Sequence, residues 1–437
     1  LGSDRQSGNI EKIFTINNKN MNYKVRDLKL AAQGMKNIEL AEMNMGALNE
    51  VRKEMTKNKP FKGLRIGMAL HVTKETAILV KTLRAGGAEV WITGCNPLST
   101  QDDVAAALAK DGVHVYAHKG ESGKEYYQFL NEVIAGKPHI TIDDGCDLVS
   151  EIHKKHAHLI PQIIGGCEET TTGIIRLQAM QRDKALKYPV VAVNDNLTKH
   201  LMDNYYGTGQ STLDGILRAT NFMFAGKTAV VAGYGSCGKG VSLRLKGLGA
   251  NVIVTEVKPF RALQAAMDGF RVMKMKDAVK IGDIFITVTG DLHVLTYEHA
   301  KGMKDGAIMA NSGHFDCEID VAGIKAKSKS NRAVRPFMEE YVLASGKRVY
   351  ILGEGRLINL AAAEGHPSDV MSLSFCGQAK ACEFLVKNKG KLKPQVYTLP
   401  SDIDVYISSL QLKAMGIEID KLTPEQKKYL GSWESGT

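Results

Sequence analysis

The sequence predicts an α/β protein of two doubly wound parallel-sheet domains followed by a small C-terminal helical tail. Three observations carry this. From Gly63 onward, short apolar runs alternate with helical patterns, as repeated βαβ units require. The stretch Lys227–Gly240 sets an apolar run, Thr228–Ala232, before Gly233, Gly235 and Gly238 in G-x-G-x-x-G order, with helix formers after it. Finally, 437 residues exceed the span of one core, so two domains plus extensions are expected.

Taken in order, residues 1–20 are polar and asparagine-rich and are expected to be poorly ordered. Val25–Lys57 carries Leu28, Ala31, Ala32, Met35, Ile38, Leu40 and Ala41 near a 3.6-residue period, which reads as an amphipathic helical lead-in. Strands are expected at Leu64–Leu70, Glu89–Thr93, Val113–Ala117, Ile140–Ile142, Gln162–Ile164 and Val190–Val193. Open α/β sheets bind ligands beyond the carboxyl ends of their strands. There stand His71 and Thr73, Cys95 and Asn96, Asp143 and Asp144, Glu168 and Glu169, and Asn194 and Asp195. Each type also caps helices and forms turns; their convergence at successive strand ends is what marks a site. Lys199 and Asp203 follow at i,i+4, on one helix face. Tyr205–Gln210 punctuates the chain before a helix at Ser211–Thr220, and the crossing into the second domain is placed there.

In the glycine loop, Gly233 permits the tight turn, Gly235 lets backbone approach a pyrophosphate, and Gly238 lets helix pack on strand; Tyr234, Ser236 and Cys237 lie between them. The helix amino terminus then faces phosphates with free N–H groups and the positive dipole end. A second apolar run, Asn251–Thr255, ends in Glu256, at the spacing of a carboxylate that accepts from an adenosine ribose. A dinucleotide site is expected. Further strands are expected at Ile284–Val288, Ala307–Ala310 and Arg348–Leu352. At Gly365-His366-Pro367 a Pro-bounded crossing reads as a hinge, with the apolar helical run Val370–Val386 returning to the first domain. The expected division is a substrate domain at 21–206, a cofactor domain at 207–364, a return segment at 365–399 and an oligomerisation tail at 400–437.

The composition excludes several classes. Lys plus Arg (57) against Asp plus Glu (47) leaves +10, spread out with no aromatic-interleaved basic stripe, so neither nucleic acid nor a membrane surface is expected as a partner. No apolar run has spanning length and no signal-peptide core is visible. Seven cysteines form no C-x-x-C pair, as expected of free thiols in a reducing compartment, the cytosol, and no metal is expected.

The sequence resembles the S-adenosyl-L-homocysteine hydrolase family from Tyr23 to Gly431. The resemblance is carried by His71-Val72-Thr73-Lys74-Glu75-Thr76-Ala77, Ser99–Asp103, Asp143-Asp144-Gly145, Glu168–Gly173, Val193-Asn194-Asp195, Gly313-His314-Phe315-Asp316 and Gly353–Leu357. It implies a Rossmann cofactor domain with one tightly bound NAD per subunit that is a catalyst and is not consumed. In the reaction it implies, oxidation of the ribose 3′-hydroxyl to a ketone acidifies C4′. Homocysteine then leaves from C5′, water adds, and the ketone is reduced. The net change is reversible hydrolysis of S-adenosyl-L-homocysteine to adenosine and L-homocysteine, a step of one-carbon metabolism, in a cytoplasmic homo-oligomer, a tetramer.

By motif match, Lys199 and Asp203 resemble the pair at the 3′-hydroxyl. Asp144, His71 and His314 resemble the groups around C4′ and C5′, with the identity of the C4′ base left open. Glu169 resembles the carboxylate on the ribose hydroxyls, and Thr73, Glu75 and Thr76 the adenine end. Glu75 can accept from the adenine amino group and would repel an inosine carbonyl. His366, with Phe315, resembles the gate over the nucleoside. Thr170, Thr171, Thr172, Asn204, Arg261, Thr289, Gly313, His314, Asn359 and His366 match cofactor positions, alongside Gly233, Tyr234, Gly235, Ser236, Cys237, Gly238 and Glu256. Three departures stand out. Thr208 replaces a cysteine of many relatives, and Lys258 and Arg261 bring cations beside Glu256 that could tolerate an NADP phosphate; Glu256 argues against it by charge repulsion, and NAD is the expected cofactor. Many relatives close with a Lys- and Tyr-bearing extension that reaches a neighbour's NAD site. Here the sequence closes at Gly431–Thr437, and a weaker hold on the cofactor is expected.

Overall fold

The computed structural model describes residues 23–434, so the stretch expected to be poorly ordered, residues 1–20, lies outside the described residues. Two sheets organise the chain. The first contains β1 (Arg65–Ala69), β2 (Glu89–Thr93), β3 (His114–Tyr116), β4 (Ile140–Asp143), β5 (Gly165–Glu168) and β6 (Val190–Ala192). The second contains β7 (Thr228–Ala232), β8 (Asn251–Thr255), β9 (Arg271–Val272), β10 (Ile284–Thr287), β11 (Ala307–Asn311), β12 (Ser328–Arg335), β13 (Met338–Leu343) and β14 (Arg348–Leu352). A last strand, β15 (Val396–Tyr397), returns to pair with β6 in parallel.

Both sheets are wound outward from a central strand. The first has the order β15-β6-β5-β4-β1-β2-β3, and the second β12-β13-β14-β11-β10-β7-β8-β9. Each reverses direction beside its first strand, β1 next to β4 and β7 next to β10, and the crevice at such a reversal is where this architecture takes ligands. Helices cover both faces, so β4 and β10 are buried along their whole lengths and read as short continuous apolar runs. Among the described residues, no helix is long and apolar enough to cross a membrane.

Four local features differ from the sequence reading. The strand expected at Gln162–Ile164 lies three residues on, at β5, after a 3₁₀ turn Ala157–Gln162. Its glycines are required by packing: a Cβ on Gly165 would come 2.6 Å from Leu385, and one on Gly166 2.6 Å from Thr141 Oγ1. Tyr205–Gln210 is helical and not a turn, because Gly207 and Gly209 serve close approach, to the His366 ring and to the backbone of Gly240. The Lys199 helix, Thr198–Gly207, is a π-helix that runs directly into the α-helix Thr208–Thr220. The second sheet also carries an antiparallel edge, β12–β13–β14, beyond its parallel core.

The C-terminal elements support the first domain. The helix Ser368–Lys387 buries Phe375, Cys376, Ala379 and Cys382 in that domain's core. From the helix Ser401–Ala414, Asp404 accepts from the backbone N–H groups of Leu197 (2.8 Å) and Thr198 (3.1 Å), capping the helix that bears Lys199.

Candidate active site

The carboxyl ends of both sheets open onto one cleft between the domains, and each wall is built from strand-end turns. After β1 comes His71, then Thr73, which caps the helix Lys74–Ala85 by accepting from the Thr76 backbone N–H. Glu75 sits buried in that helix's first turn, where the dipole favours a carboxylate, and accepts from Ser368 Oγ at 2.7 Å. After β4 comes Asp144, and after β5 Glu169 and then Thr170–Thr172 at the amino end of the helix Thr171–Arg182.

From the second sheet, His314 crosses to meet Asp144, its Nδ1 3.5 Å from Oδ1. Gly145, at φ +110°, makes this approach possible, since a Cβ there would come 2.4 Å from the His314 ring. His71 Nε2 lies 3.4 Å from Asp144 Oδ2 on the other side. One carboxylate therefore stands between two imidazoles from two domains. Burial pulls the His71 imidazole down to about 4, with Asp144 opposing, so the ring is neutral and able to accept a proton at neutral pH.

The π-helix arranges the second cluster. Its wider turn puts both the i+4 and i+5 residues beside Lys199, whose Nζ lies 2.7 Å from Asp203 Oδ2 and donates to Asn204 Oδ1 at 2.7 Å. Asp203 also bonds His366 Nδ1. Burial works against both charges, but the Lys199–Asp203 attraction wins: the ammonium is held above its ordinary range and the carboxylate below it.

Glu169 Oε1 is 3.7 Å from Lys199 Nζ, too far to share that charge fully, and it accepts from Ser374 Oγ and Gln378 Nε2. Burial raises Glu169 from 4.5 to about 7. Because the folded chain holds a proton that the unfolded chain releases, stability from this group is lost as pH rises from 4.5 to about 7. The difference in melting temperature between wild type and Glu169→Gln, scanned against pH on the ligand-free chain, should fall across that window; parallel curves would remove the assignment.

The cofactor wall is the glycine loop. Gly235 caps the helix Ser236–Gly247, whose first-turn N–H groups face the cleft with Ser236 and Cys237. Gly238 is packed so closely that a Cβ would lie 2.0 Å from the Gly233 carbonyl oxygen. Gly238→Ala should therefore part helix from strand, costing about 1–3 kcal/mol and loosening dinucleotide binding. Calorimetry and a fluorescence titration would check both, and an undisturbed variant would show that the loop has slack. Glu256 accepts backbone N–H bonds from Tyr234 (2.8 Å), Val257 (2.7 Å) and Lys258 (2.9 Å). Burial works against its charge, but those bonds hold it below the usual carboxylate range, so it stays ionised and repels a ribose phosphate. These residues fit NAD.

The cleft is lined by His71, Thr73, Glu75, Thr76, Asp144, Glu169, Thr170–Thr172, Lys199, Asp203 and Asn204 from one side. Gly235, Ser236, Cys237, Arg261, Thr289, Gly313, His314, Asn359 and His366 line the other. Gly233, Tyr234, Gly238 and Glu256 are not in its lining; they shape the loop from beneath. Sequence reading missed the supports: Ser368, Ser374 and Gln378 on one helix, and buried Glu318, which accepts from the Thr289 (2.9 Å) and Gly290 (2.8 Å) N–H groups. The three on the helix were signalled by polar residues spaced through an otherwise apolar helical run, whereas Glu318 stands in a loop and had no such signal.

Comparison with known proteins matches residues 22–160 to the family model described as S-adenosyl-L-homocysteine hydrolase, and residues 204–365 to the one described as its NAD binding domain. An adenosylhomocysteinase from Sulfolobus acidocaldarius is 59% identical over 95% of this chain and 100% of its own. An S-inosyl-L-homocysteine hydrolase from Methanocaldococcus jannaschii is 60% identical with the same coverage. An adenosylhomocysteinase from Aquifex aeolicus is 55% identical over 95% and 100%.

Proposed function

The chain belongs to the S-adenosyl-L-homocysteine hydrolase family, and on that premise we propose how its residues divide the reaction. It hydrolyses S-adenosyl-L-homocysteine reversibly to adenosine and L-homocysteine, with NAD as cofactor. Bound NAD supplies oxidation and later reduction at the ribose 3′-carbon. The observation that carries the division of labour is the meeting of Asp144 with His314 across the domains, beside Lys199.

Glu169 grips the ribose hydroxyls, and Lys199 stands at the 3′-hydroxyl, its ammonium giving a proton to the Asp203–His366 pair as it takes the one from the hydroxyl. With C3′ at the ketone level, Asp144, His71 and His314 move the C4′ proton and assist thiol departure and water addition. Thr73, Glu75 and Thr76 hold the base. Domain contact around His314 keeps bulk water from the ketone.

The test is thiol release by NAD-loaded protein, scoring adenosine and reduced cofactor together. Thiol and adenosine in equal amounts over many turnovers, without accumulating reduced cofactor, is expected. Reduced cofactor rising with a stable oxidised product would point to a conventional dehydrogenase. The inosyl relative makes base choice worth measuring. Glu75→Gln should shift preference from adenosine toward inosine, and an unmoved ratio of kcat/KM values would withdraw Glu75 as the base reader.

The proposed division is a substrate domain at 21–206 with a return at 365–399, a cofactor domain at 207–364, and a tail at 400–437. The packing of the helix Thr208–Thr220 into the second sheet's core supports the first boundary. Homo-oligomeric assembly, as a tetramer, is supported by the exposed Ile419, Leu422, Leu430 and Trp433 of the tail, and light scattering gives the mass that decides it. Free cysteines throughout accord with the cytoplasm.

A further inference from the structure

Arg176 lies outside the lining of the cleft, yet it touches the neighbours of both Asp144 and His314. It stands in the second turn of the helix Thr171–Arg182. Its Nη1 donates to the Gly145 carbonyl oxygen and, at 2.7 Å, to Asp147 Oδ1, and its Nη2 donates to Ser150 Oγ at 3.3 Å. The guanidinium carbon lies 5.8 Å from the centre of the Phe315 ring, within cation–π reach. Gly145 follows Asp144 in the chain and Phe315 follows His314, whose ring meets that of Phe315 edge to face at 4.7 Å.

The turn that Arg176 grips is a strained one. Gly145 (φ +110°) and Cys146 (φ +66°) are consecutive left-handed residues, and the Cβ of Cys146 disfavours that backbone. Both polar groups of Gly145 are tied down: its N–H donates to Glu168 Oε1 at 2.9 Å, and its carbonyl oxygen accepts from Arg176. Without the second tie the backbone after Asp144 is free to turn, and Gly145 backs directly onto the His314 ring.

We infer that Arg176 is a positioning residue for elimination and water addition: one guanidinium ties the Asp144 turn of one domain to the Phe315 ring of the other, and so sets how Asp144 and His314 meet. The planar fork suits this task, since it bonds Gly145 and Asp147 in its own plane and offers a flat cationic face to an aromatic ring, which the point charge of a lysine does not reproduce. Lys199 and Asp203, at the 3′-hydroxyl, pair with each other and not with Arg176, so oxidation lies outside its reach. The inference rests on the reading that Asp144 and His314 act at C4′ and C5′.

The test follows reduced cofactor and thiol separately when NAD-loaded Arg176→Ala and Arg176→Lys enzymes are mixed with S-adenosyl-L-homocysteine. First-turnover reduction of the cofactor should keep near the wild-type rate. Thiol release should fall about ten- to hundredfold, the scale of a misplacement near 1 Å, chiefly in kcat, with reduced cofactor building up on the enzyme. Phe315→Leu should add little on top of Arg176→Ala, as expected of two residues acting through one contact. Arg182→Ala, exposed on the same helix, should leave both rates unchanged. If Arg176→Ala does not fold, the lysine variant carries the same comparison. Thiol release at the wild-type rate, loss of reduction and thiol release in equal measure, or fully additive effects with Phe315→Leu overturns the assignment. Asp144→Asn run alongside separates the two readings. If it leaves the cofactor oxidised, the roles of Asp144 and His314 fail and Arg176 falls with them; if it leaves the cofactor reduced while the Arg176 variants release thiol normally, Arg176 alone is withdrawn.

Discussion

Replacing Lys199 by alanine is expected to slow hydrolysis by about a hundred- to ten-thousandfold, the range for a positioned proton-transfer group, while S-adenosyl-L-homocysteine still binds. Among the described residues, the amine is the one cation within reach of both Asp203 and Glu169, at 2.7 and 3.7 Å. Its loss removes the group at the 3′-hydroxyl but leaves Thr73, Glu75 and Glu169 to hold the nucleoside. The first step should therefore fail, and mixing substrate with NAD-loaded variant should give no reduced cofactor. Truncation also breaks a buried ion pair and leaves Asp203 with His366 alone, which costs up to about 3–5 kcal/mol, so a lower melting temperature is expected alongside. Partial recovery with a small added amine would separate the lost chemistry from the lost stability. An unaltered turnover would take Lys199 out of the mechanism.

The strand-end turns that bear His71 and Asp144 were legible because a parallel strand announces itself as an apolar run and the residue after it is the ligand-facing one; for Glu169 that logic fails, since the apolar run Gln162–Ile164 precedes β5 and is not the strand. The glycine loop was legible because its spacing is dictated by the turn. Neither logic reaches Gly165, Gly207 or Gly209. Each reads locally as a break, yet each is a point where another element comes within van der Waals distance, so tertiary packing decides the backbone. The same holds for Glu318, Ser374 and Gln378, which act on site residues distant in sequence. The π-helical turn was out of reach too: an i,i+4 pairing of Lys199 with Asp203 is compatible with an α-helix, and only Asn204 at i+5 on the same ammonium reveals the wider turn.

Asp144→Asn should stall the reaction one step later than the lysine variant. Asp144 touches His71 at 3.4 Å and His314 at 3.5 Å, so it holds both imidazoles at the reacting end of the nucleoside. Asparagine keeps the shape but removes the charge, and its amide nitrogen can only donate, so one of the two ring contacts must rearrange. Lys199, Asp203 and Glu169 are untouched, and oxidation at C3′ should proceed. Thiol release should fall by about a hundred- to ten-thousandfold, with reduced cofactor building up on the enzyme in the first turnover. The two variants then divide the reaction: the lysine change leaves the cofactor oxidised, and the aspartate change leaves it reduced. Should Asp144→Asn instead leave the cofactor oxidised on mixing, Asp144 would belong with Lys199 at the 3′-hydroxyl, and the proton at C4′ would have to be taken by a histidine acting without it.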